Sequence, residues 1–196
     1  HYPTGEAFRK TAYYEHFQSL LCCKELEQLL EQQDYRLVFY PHIEMQKDSR
    51  RFESGSDRIT IVSKETHDVQ KLLMDCALLV TDYSSVFFDV AFLRKPVVYY
   101  QFDEEEFRKY HYQKGYFDFR RDGFGPVCTT QEALLGALTE SFENGMEMQT
   151  EYAQRTERFF PLHDGNNCRR TFEAIVRLKE RNKKHAAESE SLSVHL

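Results

Sequence analysis

No stretch of this 196-residue sequence approaches the roughly 18 consecutive apolar residues that mark a membrane-crossing helix. Its opening residues also lack the pattern of a secretory signal. The five cysteines, Cys22, Cys23, Cys76, Cys128 and Cys168, form no C-x-x-C pair and are odd in number. That argues against a disulfide framework and for a reducing, cytoplasmic setting. Cys76 falls in an apolar stretch and reads as a core residue. No His/Cys cluster has zinc spacing and no calcium loop is present, so neither a metal nor another cofactor is expected. An excess of basic charge is missing too: 26 Lys and Arg stand against 32 Asp and Glu, a net charge of −6. Nucleic-acid binding, which normally needs a basic face, is not expected.

What remains is the composition of a globular α/β chain, long enough to bury a core without staples. Charge is unevenly placed. Asp103, Glu104, Glu105 and Glu106 form an acidic run that reads as a solvated helix start. Arg177, Lys179, Arg181, Lys183 and Lys184 make a late helix basic. That helix reads first as solvated surface. Contact with an anionic polymer, or peripheral contact with an anionic membrane, is the weaker reading.

Apolar residues at helical spacing from Tyr13 to Leu30 predict one helix ending near Gln33 and Asp34. Arg36 to Tyr40 is a short apolar strand stopped by Pro41, with His42 just past its carboxyl end. The polar segment 46–58 predicts a loop. Strands follow at 59–62, 77–81 and 96–100, with helices at 68–74 and 86–93. The segment 102–125 is aromatic, charged and punctuated by glycine. Val127-Cys128 predicts a last strand, and Thr130 caps a helix over 131–143. Helices are expected at 148–160 and 167–184, and residues 185–196 as a disordered tail. Short apolar strands alternating with helices predict a doubly wound, Rossmann-like parallel sheet in one domain over 1–184. Ligands of such folds sit at the carboxyl ends of the strands, where His42 and the segment Asp82–Ser85 both fall.

The most specific feature is Thr81-Asp82-Tyr83-Ser84-Ser85-Val86-Phe87-Phe88-Asp89. It sets hydroxyls and backbone N–H groups where a helix starts after a buried strand, a placement that suits an anion. It has no glycine, so it is neither a Walker loop nor a dinucleotide fingerprint. Spacing alone favours an ordinary helix cap made by Asp82 or Ser84.

Together with the following Ala91-Phe92-Leu93-Arg94-Lys95-Pro96-Val97-Val98-Tyr99-Tyr100, this motif resembles the signature of the CDP-glycerol:poly(glycerophosphate) glycerophosphotransferase family. Further matches lie in order. Tyr2-Pro3-Thr4 resembles the end of the family's domain-opening strand, with Gly5 where an Arg is usual. Pro41-His42 resembles its strand-end His-Pro motif, with Ile43 in place of a proline. Lys114-Gly115-Tyr116, Gly125-Pro126 and His163-Asp164-Gly165 with Arg169 or Arg170 resemble later elements.

The resemblance implies one lobe of a GT-B architecture, the donor-binding lobe. It implies transfer of glycerol phosphate from CDP-glycerol to a teichoic-acid-like or other surface polymer, with release of CMP. The family's H-G-T motif, carried by an N-terminal acceptor lobe, does not occur here, so that lobe is an expected partner. The other expected partners are a nucleotide-activated donor and a polyol-phosphate or glycan acceptor. The expected location is the cytoplasm, at the inner face of the membrane.

His42 is the catalytic candidate, contacting the diphosphate; a structural histidine at a strand end is the plain alternative. Ser84 and Ser85 are candidate phosphate donors. Asp82 is expected to orient Ser84 or His42, or to accept from glycerol hydroxyls. Asp89 is expected to brace arginine or backbone, or to be a satisfied buried carboxylate. Gly125, His163 and Arg169 are carried as substrate-binding candidates by the resemblance. The aromatics over 107–124 are candidates for stacking on cytosine, or for packing the loop. Two other readings stay open: a GT-B enzyme using a nucleotide sugar, and a non-catalytic module that binds a polymer or partner.

Overall fold

A 3-10 helix over Gly5–Lys10 leads into α1, Ala12–Leu21, where the Thr11 hydroxyl caps by accepting the Tyr14 N–H. The single helix expected over 13–30 is instead two, because α2 spans Lys24–Gln32. The side chains show why. Helix α1 buries Phe17, Leu20 and Leu21, and α2 buries Leu26 and Leu30. One unbroken helix would carry that face onto Lys24, Glu25 and Gln28. The chain resets its register at Cys22 and Cys23, and Cys23 takes an extended backbone and is itself buried.

The computed structural model describes residues 3–105, 107 and 115–193, with side chains through residue 182. Strands β1 (Leu37–Phe39) and β2 (Ile59–Ile61) pair in parallel. Strands β3 (Leu79–Thr81), β4 (Val97–Tyr100) and β5 (Val127–Cys128) form a second parallel sheet with β4 in the middle. Its register sets Leu79 opposite Val97, and Tyr99 opposite both Thr81 and Val127. Every residue of β4 is buried, as expected for a strand covered on both faces. The expectation of an α/β fold with parallel strands holds, with the strands divided between two sheets.

Helix α3 (Val69–Asp75) precedes β3, and α4 (Phe87–Phe92) joins β3 to β4. A short α5 (Phe119–Asp122) comes before β5, and α6 (Gln131–Glu143) follows it under a Thr130 cap. The expected loop at 46–58 starts instead with a 3-10 helix over Ile43–Arg51 that buries Met45, Gln46, Asp48 and Ser49. Polarity misleads there because the buried polar groups are satisfied. Asp48 accepts from the Gly5 N–H and from Arg51 Nε, at 3.2 and 2.7 Å.

Helices α2, α4 and α6 end the same way. The residue after each cap has positive φ: Asp34 (53°), Arg94 (59°) and Gly145 (67°). The next N–H then reaches back over the last turn, as in Tyr35 to the Leu30 carbonyl and Lys95 to the Val90 carbonyl. This Schellman closure turns the chain sharply into the following segment.

The chain divides into two compact units, His1–Glu157 and Arg158–Leu196, where the sequence reading has one body over 1–184. Helix α7 (Thr150–Phe159) crosses the division, and α8 (Asn167–Ser193) continues past the tail boundary expected at 184. No helix among the described residues is long and apolar enough to cross a membrane. Among the described residues of the first unit, one core cluster joins residues of α1, α2, α6 and both sheets, while Phe87, Val90, Val97, Tyr99 and Phe124 are buried outside it.

Candidate functional site

The turn after β3 is built by Asp82. Its Oδ1 accepts the N–H groups of Tyr83 and Ser84 at 2.7 and 3.1 Å, the local bonding that makes aspartate a turn former. Asp82 does not cap the following helix, whose cap is Val86 with no side-chain bond; it closes its own turn, and its carboxylate occupies the Tyr83 and Ser84 amides. The Ser85 and Val86 N–H groups and the Ser84 and Ser85 hydroxyls have no partner among the described residues. Ser84 is half-buried and Ser85 exposed.

Two further contacts hold this turn in place. Gln101, the first residue after β4 and only 1% exposed, donates Nε2 to the Asp82 carbonyl at 3.1 Å. The Tyr83 ring stacks on Phe107 with centres 3.7 Å apart, and its hydroxyl donates to Asp103. Burial, with the Asp103 charge second, pushes the Tyr83 phenol far above its ordinary value. Asp103 is half-buried, so the acidic run does not begin as a solvated face.

His42 is exposed and caps the 3-10 helix after β1, its Nδ1 accepting the Glu44 N–H at 3.4 Å. An imidazole that accepts at Nδ1 carries its proton on Nε2, which leaves that nitrogen as the donor. The preceding Pro41 carbonyl accepts Nε2 of Gln46 at 2.6 Å, and Gln46 in turn accepts the Lys64 N–H at 2.9 Å. One ring touches a strand of each sheet. Phe17 packs on Phe39, the last residue of β1, and on Tyr100, the last residue of β4, with centres 5.3 and 5.9 Å apart. The ends of β1 and β4 thus flank one α1 side chain, and Thr81 at the end of β3 is paired with Tyr99.

Not all the expected site residues come to this edge. Gly125 is buried against Val97, the first residue of β4, at the opposite end of the strand; a Cβ there would stand 1.6 Å from the Val97 carbonyl oxygen. Its expected ligand contact gives way to a packing role: only glycine lets the two backbones approach so closely. Asp89 is exposed with no side-chain partner among the described residues, so it neither braces an arginine nor lies satisfied in the core.

Among the described loop aromatics, Phe117, Phe119 and Phe124 each make a ring contact with Phe87, with centres 5.4 to 6.0 Å apart, whereas Tyr116 is 83% exposed; Tyr110 and Tyr112 lie outside the described residues. Lys114 of the Lys-Gly-Tyr element lies outside the described residues. Arg121 pairs with Asp122, and that hydrogen bond, helped by the Asp118 N–H, holds the Asp122 carboxyl down to about 2.

In the second unit, the Asp164 carboxylate takes both terminal nitrogens of Arg170 at 2.9 Å and the Asn166 N–H. These bonds, Arg170 first, push the Asp164 carboxyl far below the usual range. Of the two arginines left open for the late motif, Arg170 closes on Asp164; the guanidinium of Arg169, carried as a substrate-binding candidate, is exposed, 3.9 Å from Glu173. His163 is exposed.

Two surface recesses, one lined by Pro96, Phe124 and Tyr152 and one by Glu27, Gly55 and Ile59, contain neither His42 nor the Asp82 turn. Among the described residues no group of three or more His, Cys, Asp or Glu is placed to hold a metal ion. Sequence reasoning missed Gln46 and Gln101. A signal existed for Gln101, a polar residue ending the apolar run Val97-Val98-Tyr99-Tyr100.

Known proteins bear on this arrangement. The chain is similar to the minor teichoic acid biosynthesis protein GgaB of Bacillus subtilis (strain 168), 29% identical over 176 residues, covering 90% of this chain and 19% of GgaB. It is similar to a teichoic acid glycerol-phosphate transferase of Staphylococcus aureus (strain NCTC 8325 / PS 47), 29% identical over 127 residues, covering 65% of this chain and 32% of that protein. The chain thus spans a third or less of these relatives. A solved structure of the wall teichoic acid polymerase TagF shares the fold over 80% of this chain and 38% of its own, with a TM-score of 0.56 and 23% identity. Another TagF structure, described as carrying CDPG after a soak, gives a TM-score of 0.54. The model of the CDP-glycerol:poly(glycerophosphate) glycerophosphotransferase family matches residues 3–177, nearly the whole chain, and this protein belongs to that family.

Proposed function

We propose that this chain holds the CDP-glycerol donor for transfer of glycerol phosphate to a polyol-phosphate or glycan acceptor. The observation that carries the reading is the group of donors after β3 with no partner among the described residues, the Ser84 and Ser85 hydroxyls with the Ser85 and Val86 amides, within the family motif. The names of the relatives support it: one is a glycerol-phosphate transferase, and TagF has been soaked with CDPG.

In this reading an acceptor hydroxyl attacks the glycerol-bearing phosphorus. The new P–O bond forms as the bond to the CMP phosphate breaks, and the acceptor proton passes to a base on the acceptor side. Phosphoryl transfer of this kind depends on positioning and on stabilising charge. Ser84 and Ser85 hold oxygens of the diphosphate, and His42 Nε2–H donates to the departing CMP phosphate. Asp82 shapes the turn and does not touch the donor, which avoids carboxylate–phosphate repulsion. Arg169 and His163 are the second unit's own candidates for anion binding. An N-terminal lobe supplies the acceptor, and the work is done in the cytoplasm at the inner membrane face.

Calorimetric titration of the chain with CDP-glycerol, CDP-ribitol, CMP and a UDP-sugar tests this. Saturable binding of CDP-glycerol is expected, weakened about ten-fold or more by Ser84→Ala and by His42→Ala, since hydrogen bonds to charged groups contribute roughly 1.5–3 kcal/mol. Absence of binding, equal binding by both variants, or a preference for the UDP-sugar defeats the proposal.

A further inference from the structure

The carboxyl edge of each sheet is tied by one buried glutamine. Gln46 is 6% exposed and bridges the segments that follow β1 and β2, through the Pro41 carbonyl and the Lys64 N–H. Gln101 is 1% exposed and bridges the ends of all three strands of the other sheet. Its side chain binds the Asp82 carbonyl after β3, its backbone follows β4, and its N–H donates to the Cys128 carbonyl in β5. A buried carboxamide is costly unless paired, so packing alone favours an apolar side chain at both places. Each glutamine instead grips a backbone carbonyl in a turn that carries candidate site residues. Pro41 directly precedes His42, and Asp82 caps the amides of Tyr83 and Ser84.

We infer that Gln46 and Gln101 are positioning residues for donor binding, an inference that rests on the donor-binding reading above. Gln46 fixes the turn that presents the His42 imidazole. Gln101 fixes the turn that presents the two serines. A carboxamide does this without adding charge beside a diphosphate, whereas a lysine would become a ligand and a glutamate would repel one. Through separate anchors, the two turns keep a fixed spacing on sheets that share one core. Small displacements matter at such sites, because transfer rates fall steeply when reacting groups move by about 1 Å.

The test uses Gln46→Met and Gln101→Met, which keep side-chain length and remove the N–H donor. Gln46→Asn and Gln101→Asn keep the amide but shorten its reach, and they serve if either Met variant fails to fold. Amide hydrogen exchange, melting temperature and calorimetric Kd for CDP-glycerol are measured for each. Gln101→Met is expected to speed exchange at Tyr83 and Ser84 about ten-fold, leave Glu44 and Met45 unchanged, and raise Kd about ten-fold. Gln46→Met is expected to speed exchange at Glu44 and Met45, leave Tyr83 and Ser84 unchanged, and raise Kd similarly. A purely structural role lowers the melting temperature and speeds exchange throughout the core, with Kd unchanged once the folded fraction is counted; that result overturns the inference. Turn-local exchange with wild-type Kd overturns it as well. If the wild-type chain does not bind CDP-glycerol, the donor reading fails by itself, and the exchange pattern still decides whether the glutamines hold their turns.

Discussion

Substituting alanine for Gly125 adds one methyl group where the backbone leaves no room. Its Cβ would stand 1.6 Å from the Val97 carbonyl oxygen and 2.6 Å from the carbonyl carbon. Both atoms are backbone, so no side-chain rotation relieves the clash. Either β4 or the segment before β5 must move. That segment is bonded to β4 through the Phe124 N–H on the Tyr99 hydroxyl at 3.2 Å and the Tyr99 N–H on the Pro126 carbonyl at 2.9 Å. Overpacking a well-packed core costs about 1–3 kcal/mol, and each buried hydrogen bond lost adds about 1 kcal/mol. The expected loss is about 3–5 kcal/mol, a fall in Tm of roughly 6–20 °C for a chain of this size. Gly136, in α6 with nothing within 4 Å of its Cβ position, is the control, and alanine there is expected to gain roughly 0.5–1 kcal/mol. Urea unfolding followed by far-UV circular dichroism measures both. A wild-type midpoint for Gly125→Ala refutes the packing role and returns this glycine to the list of ligand contacts.

Arg94→Gly removes a left-handed residue from the end of α4, where φ is 59°, and is expected to gain about 1 kcal/mol, read as a rise in Tm. Its ion pair with Glu157 at 3.5 Å is exposed on both sides and offsets little; an unchanged or lower Tm contradicts this. Asp122→Asn tests the acid limb. The folded carboxyl is held down to about 2 by Arg121, against about 3.9 unfolded, so its stabilisation is present above the unfolded value and is lost as pH falls through about 2. The variant lacks that contribution, and its urea midpoint is expected to fall less than the wild type's between about pH 4 and 2; parallel curves would falsify the assignment. Thr130→Ala deletes the hydroxyl that accepts the Ala133 N–H at 3.2 Å and is expected to cost about 1 kcal/mol, measured by the same unfolding assay.

Much of the fold was legible because its signals are local. The strands at 37–39, 59–61, 79–81, 97–100 and 127–128 fall within the apolar runs, and the Thr130 cap starts α6 at the expected residue. The early helix was misjudged because spacing from Tyr13 to Leu30 is nearly helical throughout; only the core's position shows that an unbroken face would bury Lys24 and Glu25. The 3-10 helix over Ile43–Arg51 was unreadable for another reason. Its polar residues are buried against partners far along the chain, as in Asp48 with the Gly5 N–H. At the candidate site, the Asp82 turn could be located but not its bonding. Whether Asp82 caps its own turn or faces a ligand depends on a few ångströms of backbone.

Read alone, the sequence determined the order of strands and helices, the parallel α/β class and the two turns proposed to bind the donor. Each of these follows from neighbours within a few residues: alternating runs, a capping hydroxyl, an Asp-Tyr-Ser-Ser segment after an apolar strand. Tertiary structure alone decided that Gly125 packs at the amino end of β4, that Arg170 rather than Arg169 closes on Asp164, and that Gln46 and Gln101 grip the two turns. The physical reason is one of range and geometry. A backbone approach of 1.6 Å to an added methyl, or a side-chain bond spanning 19 residues from Gln101 to Asp82, exists only once distant segments have packed. The choice between two adjacent arginines turns on the direction in which the first turn of a helix presents them.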